Sequence, residues 1–343
     1  MIVAYQSSEA FANICMVSIY SLLSCQTANK DLDIYILSPD ISEKSISCIR
    51  KMMSELGFDG RRLSVIDISN IRQRFDLMFD DYNGKWGIDS FCKLMLGSLL
   101  PKSVEKVLYL DSDTIICKPL DELFATDIQG FLLAASKDFM SKEYFEFFQL
   151  DHSDIYCNSG MMLFNLTRWR EEKVEKQIRD YLKSQNGQVF FSEQSVMNII
   201  CRKKMKCLPL AYNFTTVPAA LSYSQIKSLR KPQNSYTEAE VIAAKKEPII
   251  IHYTTLFMIN GRVWHENNKH PYKEAFEKNA QNVPFFKQLK LKQSFLNRVL
   301  KVLIDSVPRN ILCKLVGIYY NSCRLSRYKN YIRRKNKLQN SVS

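Results

Sequence analysis

Residues 106–120, KVLYLDSDTIICKPL, contain an apolar run that ends abruptly at two aspartates. The run Val107–Leu110 is typical of a buried strand, and Asp111 and Asp113 mark its carboxyl end. Residues i and i+2 of an extended chain face the same side, so the two carboxylates are predicted to converge while Ser112 points away. Two adjacent carboxylates need a cation or a shared proton, and a divalent ion such as Mn²⁺ or Mg²⁺ meets that need.

Similar apolar runs alternate with helical patterns in the first part of the chain. Helical periodicity covers stretches such as Ile41–Leu56 and Phe91–Leu100, and the apolar runs are IVAY (2–5), LDIYILS (32–38), RLSVIDI (62–68) and GFLLAAS (130–136). Strands that alternate with helices predict an α/β fold with a mostly parallel sheet flanked by helices. Such sheets bind ligands at the carboxyl ends of their strands, where the two aspartates are expected.

The second half of the chain predicts a mixture of regular and irregular structure. Residues 160–183 predict a strand that leads into one long amphipathic helix, and residues 192–204 predict a shorter helix. Residues 212–248, with VPAA, KPQNS and KKEP, are interpreted as an irregular connecting region. EPIIIHYTT (247–255) then predicts one more apolar strand, which ends at His252.

His252 has two interpretations. A histidine at a strand end is commonly a structural hydrogen-bonding residue. With Asp111 and Asp113 it could instead complete a metal site of two carboxylates and one imidazole, a ligand mixture that suits Mn²⁺ better than Mg²⁺.

The strand followed by Asp-x-Asp-Thr also permits a different enzyme. It matches the opening of haloacid-dehalogenase-type phosphatases, in which Asp111 would be the nucleophile. That motif normally lies near the start of its catalytic fold, whereas three predicted strands precede it here. The phosphatase is therefore the alternative interpretation.

Four motifs in order resemble family 8 of the retaining glycosyltransferases, which includes bacterial lipooligosaccharide galactosyltransferases and glycogenin. The resemblance extends from IVAYQSS to VWHENNKHPY, and its most specific piece is the metal-binding strand with the Pro-Leu-x-x-Leu segment after it. An Asn-x-Gly strand with an Asn-Leu-x-x-Trp turn, a helix start and a His-Tyr strand end follow. The four motifs are KVLYLDSDTIICKPLDELF (106–124), YCNSGMMLFNLTRWR (156–170), FSEQSVMN (191–198) and IIIHYTT (249–255).

The resemblance implies a GT-A fold over residues 1–284, a UDP-sugar donor, a Mn²⁺ cofactor with Mg²⁺ as the alternative, and transfer of a hexose with retention of configuration. It implies that the metal ligands are Asp111, Asp113 and His252. It also implies that the residues around the reacting sugar are Glu193, Gln194 and Asp138. The positions that it implies to contact the UDP-sugar are Gln6, Ser7, Lys93, Asp111, Ser112, Asn158, Ser159 and Arg262.

Several of these positions could equally have an ordinary structural role. Lys93 could be a solvated base on a helix, and Asp138 could simply end a strand. Asn158 and Ser159 could form a turn. Glu193 could be a first-turn acid that the helix dipole favours.

The sequence departs from the family pattern at three places. YQSS (5–8) offers no acidic group to uracil, and Ser195 replaces a common aspartate. TLFMINGRVW (255–264) lacks the family's phosphate-binding lysine, for which Arg262 is the candidate replacement. These departures leave the donor sugar open, together with a non-enzymatic alternative: a membrane-bound protein that binds a sugar nucleotide without turning it over.

The net charge of +13 is concentrated in residues 285–343, which hold fourteen Lys and Arg and one acid, Asp305. FLNRVLKVLI (295–304) places apolar residues on one helical stripe, and RLSRYKNYIRRKNK (324–337) interleaves bases with tyrosines. The pattern predicts a basic amphipathic helical tail that associates with an anionic membrane surface. A tail packed on the domain is the structural alternative, and the balanced charge of residues 1–284 counts against nucleic acid.

The ten cysteines are scattered without a Cys-x-x-Cys pair, which favours reduced thiols in the cytoplasm. No stretch reaches the roughly 18 to 20 apolar residues that span a bilayer. We therefore expect a cytoplasmic enzyme, held peripherally at the inner face of the membrane. Its predicted activity is hexose transfer to a lipid-linked saccharide of the cell envelope, such as lipopolysaccharide or a polysaccharide.

Overall fold

The computed structural model describes residues 1–26, 30–81, 87–257, 261–284, 286–291 and 294–340. The main sheet has seven strands in the order β3-β2-β1-β4-β7-β6-β8. Only β7 runs antiparallel to its neighbours, so the predicted mostly parallel sheet is confirmed. Its strands are β1 (Ile2–Gln6), β2 (Asp33–Ser38), β3 (Leu63–Asp67), β4 (Lys106–Asp111), β6 (Leu133–Lys137), β7 (Cys157–Asn165) and β8 (Met205–Leu208).

Helices cover both faces of this sheet. The helix α1 is apolar on nearly all sides and is buried along most of its length, as expected for a helix inside a core. The helices up to residue 246 are α1 (Ala12–Cys25), α2 (Glu43–Glu55), α3 (Ile71–Arg74), α4 (Leu96–Leu99), α5 (Asp121–Ala125), α6 (Lys142–Phe147), α7 (Leu166–Glu171), α8 (Val174–Ser184), α9 (Ser192–Ile200), α10 (Thr216–Ala220), α11 (Tyr223–Arg230) and α12 (Glu238–Lys246). Those that follow are α13 (Lys273–Ala280), α14 (Phe295–Ser306), α15 (Arg309–Ile318) and α16 (Arg324–Asn340).

The antiparallel strand β7 brings two distant parts of the chain to one edge of the sheet. Leu110 near the end of β4 pairs with Met161 near the start of β7. Gln6 at the end of β1 pairs with Asp111 on the other side of β4. The carboxyl ends of β1 and β4 therefore lie beside the first residues of β7.

A small second sheet, in the order β5-β10-β9, adds the remaining elements of this edge. Its strands are β5 (Thr114–Ile116), β9 (Phe214–Thr215) and β10 (Ile250–His252). The strand β5 starts just after the two aspartates, and its Thr114 pairs with His252. The predicted strand ending at His252 is thus confirmed, and its pairing places the histidine next to the aspartates.

Three local predictions were wrong. Asp111 and Asp113 do not share one extended strand, because residues 112 and 113 form a turn between β4 and β5. Residues 212–248 are mostly helical, since two capping boxes, at Ser222 and Thr237, start α11 and α12. The long helix within residues 160–183 is two helices, because Lys173 takes a left-handed conformation between α7 and α8.

The basic tail packs on the rest of the molecule through α15 and α16. Leu312 and Cys313 of α15 are buried, and the amide of Asn321 donates to the backbone oxygen of Leu229 over 3.1 Å. From α16, Leu325 and Tyr328 join an apolar cluster with the aromatic residues of α6 and of the segment before α9. No helix among the described residues has both the length and the apolar character needed to cross a bilayer.

Candidate functional site

Asp111, Asp113 and His252 form a group whose ligand atoms all lie within 4.8 Å of one another. The Nε2 atom of His252 is 3.1 Å from Oδ1 of Asp113 and 3.7 Å from Oδ2 of Asp111. Asp111 ends β4, the turn supplies Asp113, and β10 supplies His252. The donor set of two carboxylates and one imidazole fits Mn²⁺ better than Mg²⁺, which prefers oxygen ligands.

The orientation of His252 leaves Nε2 available to a metal. Its Nδ1 lies 3.0 Å from the side-chain oxygen of Asn213, whose amide nitrogen donates to Oδ1 of Asn158 over 2.9 Å. With the Asn213 oxygen as acceptor, Nδ1 carries a proton, so Nε2 is the imidazole nitrogen that faces the aspartates and would bind a metal. Gly160 lies directly against the imidazole, so close that a Cβ atom at this position would overlap the ring.

Arg262 pairs with the aspartate of the turn. Its Nη1 donates to Oδ2 of Asp113 over 2.9 Å and to the backbone oxygen of Tyr253 over 2.6 Å. Burial alone would raise the pKa of Asp113, but His252 and Arg262 outweigh it and lower that pKa to about 2. Asp113 is therefore ionised at neutral pH, as a metal ligand must be.

Lys93 is a buried cation between two carboxylates. Its Nζ lies 2.8 Å from Oδ1 of Asp111 and 3.3 Å from Oε1 of Glu193, and the side chain is only 4% exposed. Burial alone would lower the pKa of Lys93, but Asp111 and Glu193 raise it above the ordinary value. Tyr109 donates to the same Asp111 oxygen over 2.9 Å, so one oxygen of Asp111 faces Lys93 and the other faces His252.

Glu193 and Gln194 begin α9 and are held against the start of β7. Ser159 donates from its hydroxyl to Glu193 over 3.1 Å and from its backbone N–H to Oε1 of Gln194 over 3.2 Å. Asn158 donates to the same Gln194 oxygen over 3.1 Å, and the amide nitrogen of Gln194 donates to Oδ2 of Asp138 over 3.2 Å. Hydrogen bonds therefore hold both the oxygen and the nitrogen of the Gln194 amide.

A strained turn precedes these two residues. Phe191 and Ser192 both have positive φ, 62° and 51°, in a region that side chains with a Cβ rarely adopt. Asn198, one helical turn into α9, holds the element in place by exchanging hydrogen bonds of 2.6 and 2.8 Å with the backbone of Cys157. Strain of this kind persists only where surrounding contacts compensate for it, and it is common at functional sites.

The structure brings most of the predicted positions into one group. The connected set is Lys93, Asp111, Asp113, Asp138, Asn158, Ser159, Glu193, Gln194, His252 and Arg262. Gln6, Ser7 and Ser112 lie at the adjoining end of β1. There the Ser112 hydroxyl donates to the Gln6 carbonyl over 2.5 Å, and the Ser7 hydroxyl donates to the Ser8 carbonyl over 3.0 Å.

Sequence analysis missed three residues of the site. Asn213 orients His252, but it lies in the stretch interpreted as irregular, and nothing in its neighbourhood marks it. Tyr109 could have been found, because it stands two residues before Asp111 and so faces the same side of β4. Asn198 needs polar partners because its amide is buried one helical turn after Gln194, but that burial is visible only in the structure.

Comparisons with known proteins point to one family. The sequence pattern of glycosyl transferase family 8 matches residues 2–268. A protein of Haemophilus influenzae, itself classed only provisionally as a glycosyltransferase, is 25% identical over 276 residues, covering 79% of this chain and 74% of the relative. Glycosyltransferase GlyA of Streptococcus pneumoniae is 24% identical over 248 residues, 72% of this chain but 30% of GlyA.

A solved structure confirms the predicted GT-A fold. The galactosyltransferase LgtC, in complex with donor and acceptor sugar analogues, has a TM-score of 0.68 and 18% sequence identity to this chain. The match covers 87% of this chain and 99% of LgtC. At this level of identity the likeness concerns the arrangement of the sheet and its helices, not the substrates.

Proposed function

Because the chain belongs to glycosyltransferase family 8, we propose that it transfers a hexose from a UDP-sugar to a saccharide acceptor, with retention of configuration. The observation that carries this proposal is the group Asp111, Asp113 and His252, which adjoins Glu193 and Gln194 through Lys93. A metal site next to a fixed carboxylate and amide suits the departure of a diphosphate from a sugar. Family membership gives the phosphatase alternative no support.

The cofactor in this proposal is Mn²⁺, with Mg²⁺ as the alternative. Asp111, Asp113 and His252 would hold it, and the residues fit because all three ligand atoms converge and Asn213 fixes the histidine tautomer. When bound, the ion supplies Lewis-acid stabilisation of the charge that develops on UDP. Arg262 lies beside Asp113 at 2.9 Å and is the candidate for a further contact to the diphosphate.

The residues at the reacting sugar leave two routes to retention. Glu193 could attack the anomeric carbon as a nucleophile, or its charge could stabilise a cationic sugar while the acceptor enters on the face that UDP leaves. Its Oε1 lies 3.3 Å from Nζ of Lys93, which holds the carboxylate in place. Gln194 is the weaker nucleophile, but its fixed amide presents an oriented dipole to the sugar.

We further propose a lipid-linked acceptor and a peripheral position on an anionic membrane. Support comes from the exposed apolar side chains of α14 and α15 together with the bases of the tail. The apolar set is Val299, Leu300, Val302, Leu303, Ile311, Leu315, Ile318 and Tyr319. Each basic residue near an anionic membrane surface contributes about 1 kcal/mol, and salt weakens that contribution.

The test is a panel of UDP-sugars incubated with purified protein and Mn²⁺, with release of UDP as the readout. We expect one sugar to be consumed, because donor hydrolysis reports the active site without the acceptor. Asp111→Asn and Asp113→Asn, or a chelator, should abolish release. Asp59→Asn is the matched control, since Asp59 is exposed and lies just before β3, at the amino end of the parallel strands and so on the side of the sheet away from the site.

Other outcomes distinguish the alternatives. UDP binding without consumption of any sugar would favour the non-enzymatic binding protein. Protein that neither binds UDP with Mn²⁺ nor releases it would contradict the proposal. NMR of the sugar released by the active enzyme would report the anomeric configuration and so test retention separately.

A further inference from the structure

Two arginines from different parts of the molecule meet at one tyrosine of the tail. Tyr320 lies in the π-helical segment Tyr319–Cys323 that joins α15 to α16, and the guanidinium carbon of Arg230, at the end of α11, is 4.0 Å from its ring centre. The guanidinium of Arg324, at the start of α16, lies 5.6 Å from the same ring. Tyr144 holds this π-helical segment by donating to the Tyr320 carbonyl over 2.6 Å.

The backbone just after Arg230 pairs with the segment that follows Asp138. The segment that follows Asp138 forms a β-bridge from Ser141 to Pro232, two residues beyond Arg230. The backbone N–H of Gln233 also donates to the Met140 carbonyl over 2.7 Å. Arg230 is thereby tied to the segment that carries Asp138.

Arg324 contacts the segment that precedes Glu193 and Gln194. Its guanidinium lies 4.6 Å from the ring centre of Phe191, the first residue of the strained turn before Glu193 and Gln194. It also lies 5.2 Å from the ring of Phe190. The tail therefore reaches the turn from which the two candidate catalytic residues start.

Neither arginine has the anionic partner that a partly buried guanidinium normally has. No carboxylate forms an ion pair with either one within the described ranges, and the buried Nε of Arg230 has no hydrogen-bond partner there. Asp138 is engaged elsewhere, because its oxygens accept from Phe139 N–H over 2.7 Å and from Gln194 over 3.2 Å. Glu143, the other acid of this neighbourhood, forms no ion pair with either arginine within the described residues, and its buried Oε2 has no hydrogen-bond partner there.

We propose that Arg230 and Arg324 bind an oxyanion of the acceptor, a phosphate or a carboxylate, beside Gln194. The proposal rests on the proposed transferase function and adds a property of its acceptor: the saccharide is negatively charged near the hydroxyl that is glycosylated. Guanidinium groups suit this task because their N–H groups match the oxygens of phosphate and carboxylate in pairs.

The experiment measures the charge preference of the site directly. NMR titrations with galactose, galactose 6-phosphate and galacturonic acid present one sugar ring with three different groups. The protein is saturated with UDP, so that phosphate cannot enter the donor site. We expect the charged sugars to bind about fivefold or more tightly than galactose, with the preference falling at high salt. Preference for the phosphate or for the carboxylate identifies the source of the charge.

Variants test whether the two arginines cause the preference. Arg230→Gln and Arg324→Gln should each reduce it, and the double variant should remove it. Arg327→Gln is the matched control, because this exposed base on α16 lies three residues from Arg324 and its loss changes the net charge equally. Arg230→Lys keeps the charge but loses the paired N–H groups, so an intermediate preference is expected.

The outcomes separate this inference from the proposed function. Galactose binding as tightly as both charged sugars, a preference that survives in the double variant, or no binding of the charged sugars would each overturn the inference. Failure of the wild-type protein to bind UDP would instead count against the proposed function, and the same titrations would then be run without UDP. Unchanged UDP binding and melting temperature in the variants establish that they fold.

Discussion

At the scale of single residues, Gly160 determines where the His252 imidazole lies. A Cβ atom at this position would overlap the ring of His252, which cannot retreat because Asn213 and the aspartates surround it. Gly160→Ala should therefore displace the ring and weaken Mn²⁺ binding about 10- to 100-fold. Titration calorimetry with Mn²⁺ measures this effect.

A second glycine provides the control for this substitution. A Cβ atom at Gly130 would meet nothing within 4 Å, so Gly130→Ala should leave Mn²⁺ binding unchanged. Equal Mn²⁺ affinity of Gly160→Ala and the wild-type protein would show that His252 is not a ligand or that its ring moves without loss.

Lys93 stabilises the fold as well as the site, because it neutralises two partly buried carboxylates. Lys93→Met leaves Asp111 and Glu193 without their shared cation, and we expect the free energy of unfolding to fall by about 3–5 kcal/mol. Urea unfolding in the presence of a chelator measures this without compensation by metal. Lys51→Met removes an exposed ion pair with Glu55 and should change stability by less than about 1 kcal/mol.

His270 makes stability depend on pH. Burial lowers its pKa from 6.5 to about 4, while its ring accepts from Tyr272 N–H and lies 3.2 Å from the Thr216 hydroxyl. Below pH 6.5 this imidazole binds a proton in the unfolded chain but stays neutral in the folded protein until about pH 4. The free energy of unfolding should therefore fall as the pH decreases from about 6.5 to 4. The loss from this group should be on the order of 1–3 kcal/mol, allowing for partial exposure.

NMR titration of the imidazole and urea unfolding across this pH range test the effect. His270→Gln cannot take up the proton and should show a shallower fall in stability with decreasing pH. An imidazole that titrates near pH 6.5 in the folded protein would contradict the assignment.

At the scale of elements, the sequence predicts those whose signal is local. Long apolar runs locate β1, β2, β3, β4 and β6, since periodicity and β-branched residues are sufficient evidence for a strand. The strands β5 and β9 are only three and two residues long, too short for a periodic signal, and their pairing with β10 defines them. The helices α11 and α12 do carry capping boxes in their sequence, but the Pro and Lys clusters beside them favour an irregular segment.

The residues of the candidate site also differ in whether the local sequence reveals them. Asp111, Asp113 and His252 could be identified because each ends or follows a predictable strand. Asn213 and the arginines around Tyr320 depend on long-range packing, and their neighbours along the chain do not mark them. Spacing alone also gave the wrong local geometry for the aspartates, since an extended strand and a tight turn both bring two carboxylates together.

The break between α7 and α8 can be tested by substitution. Lys173 has φ 52° and ψ 42°, a conformation that costs a residue with a Cβ more than it costs glycine. Lys173→Gly should raise the free energy of unfolding by about 0.5–1 kcal/mol. Urea unfolding measures it, and Lys176→Gly inside α8 should lower it by about 1 kcal/mol. Destabilisation by both changes would contradict the strain at Lys173.

At the scale of the whole molecule, the tail has one face on the body and another exposed. Val302 and Leu303 are 65% and 57% exposed, so replacing both with Glu should leave the melting temperature unchanged. If this face binds membranes, the double variant should lose most of its co-sedimentation with vesicles that contain phosphatidylglycerol, and salt should weaken wild-type binding. Ile242→Glu on α12, at a position 61% exposed, is the control and should sediment like the wild-type protein.

Other results of the sedimentation experiment are equally informative. Wild-type protein that does not sediment with these vesicles would contradict the membrane proposal. Equal loss of sedimentation in Ile242→Glu would indicate a general effect of added negative charge rather than a specific surface.

The pairing of Thr114 with His252 has a consequence for synthesis of the protein. During translation at roughly 5–20 residues per second, His252 leaves the ribosome about 7 to 28 seconds after the two aspartates. In that interval the nascent sheet carries a pair of acids whose histidine partner does not yet exist. Lys93 is synthesised before Asp111 and is available to neutralise it. The cation that pairs with Asp111 is thus present in the growing chain before the last residue of the candidate metal site.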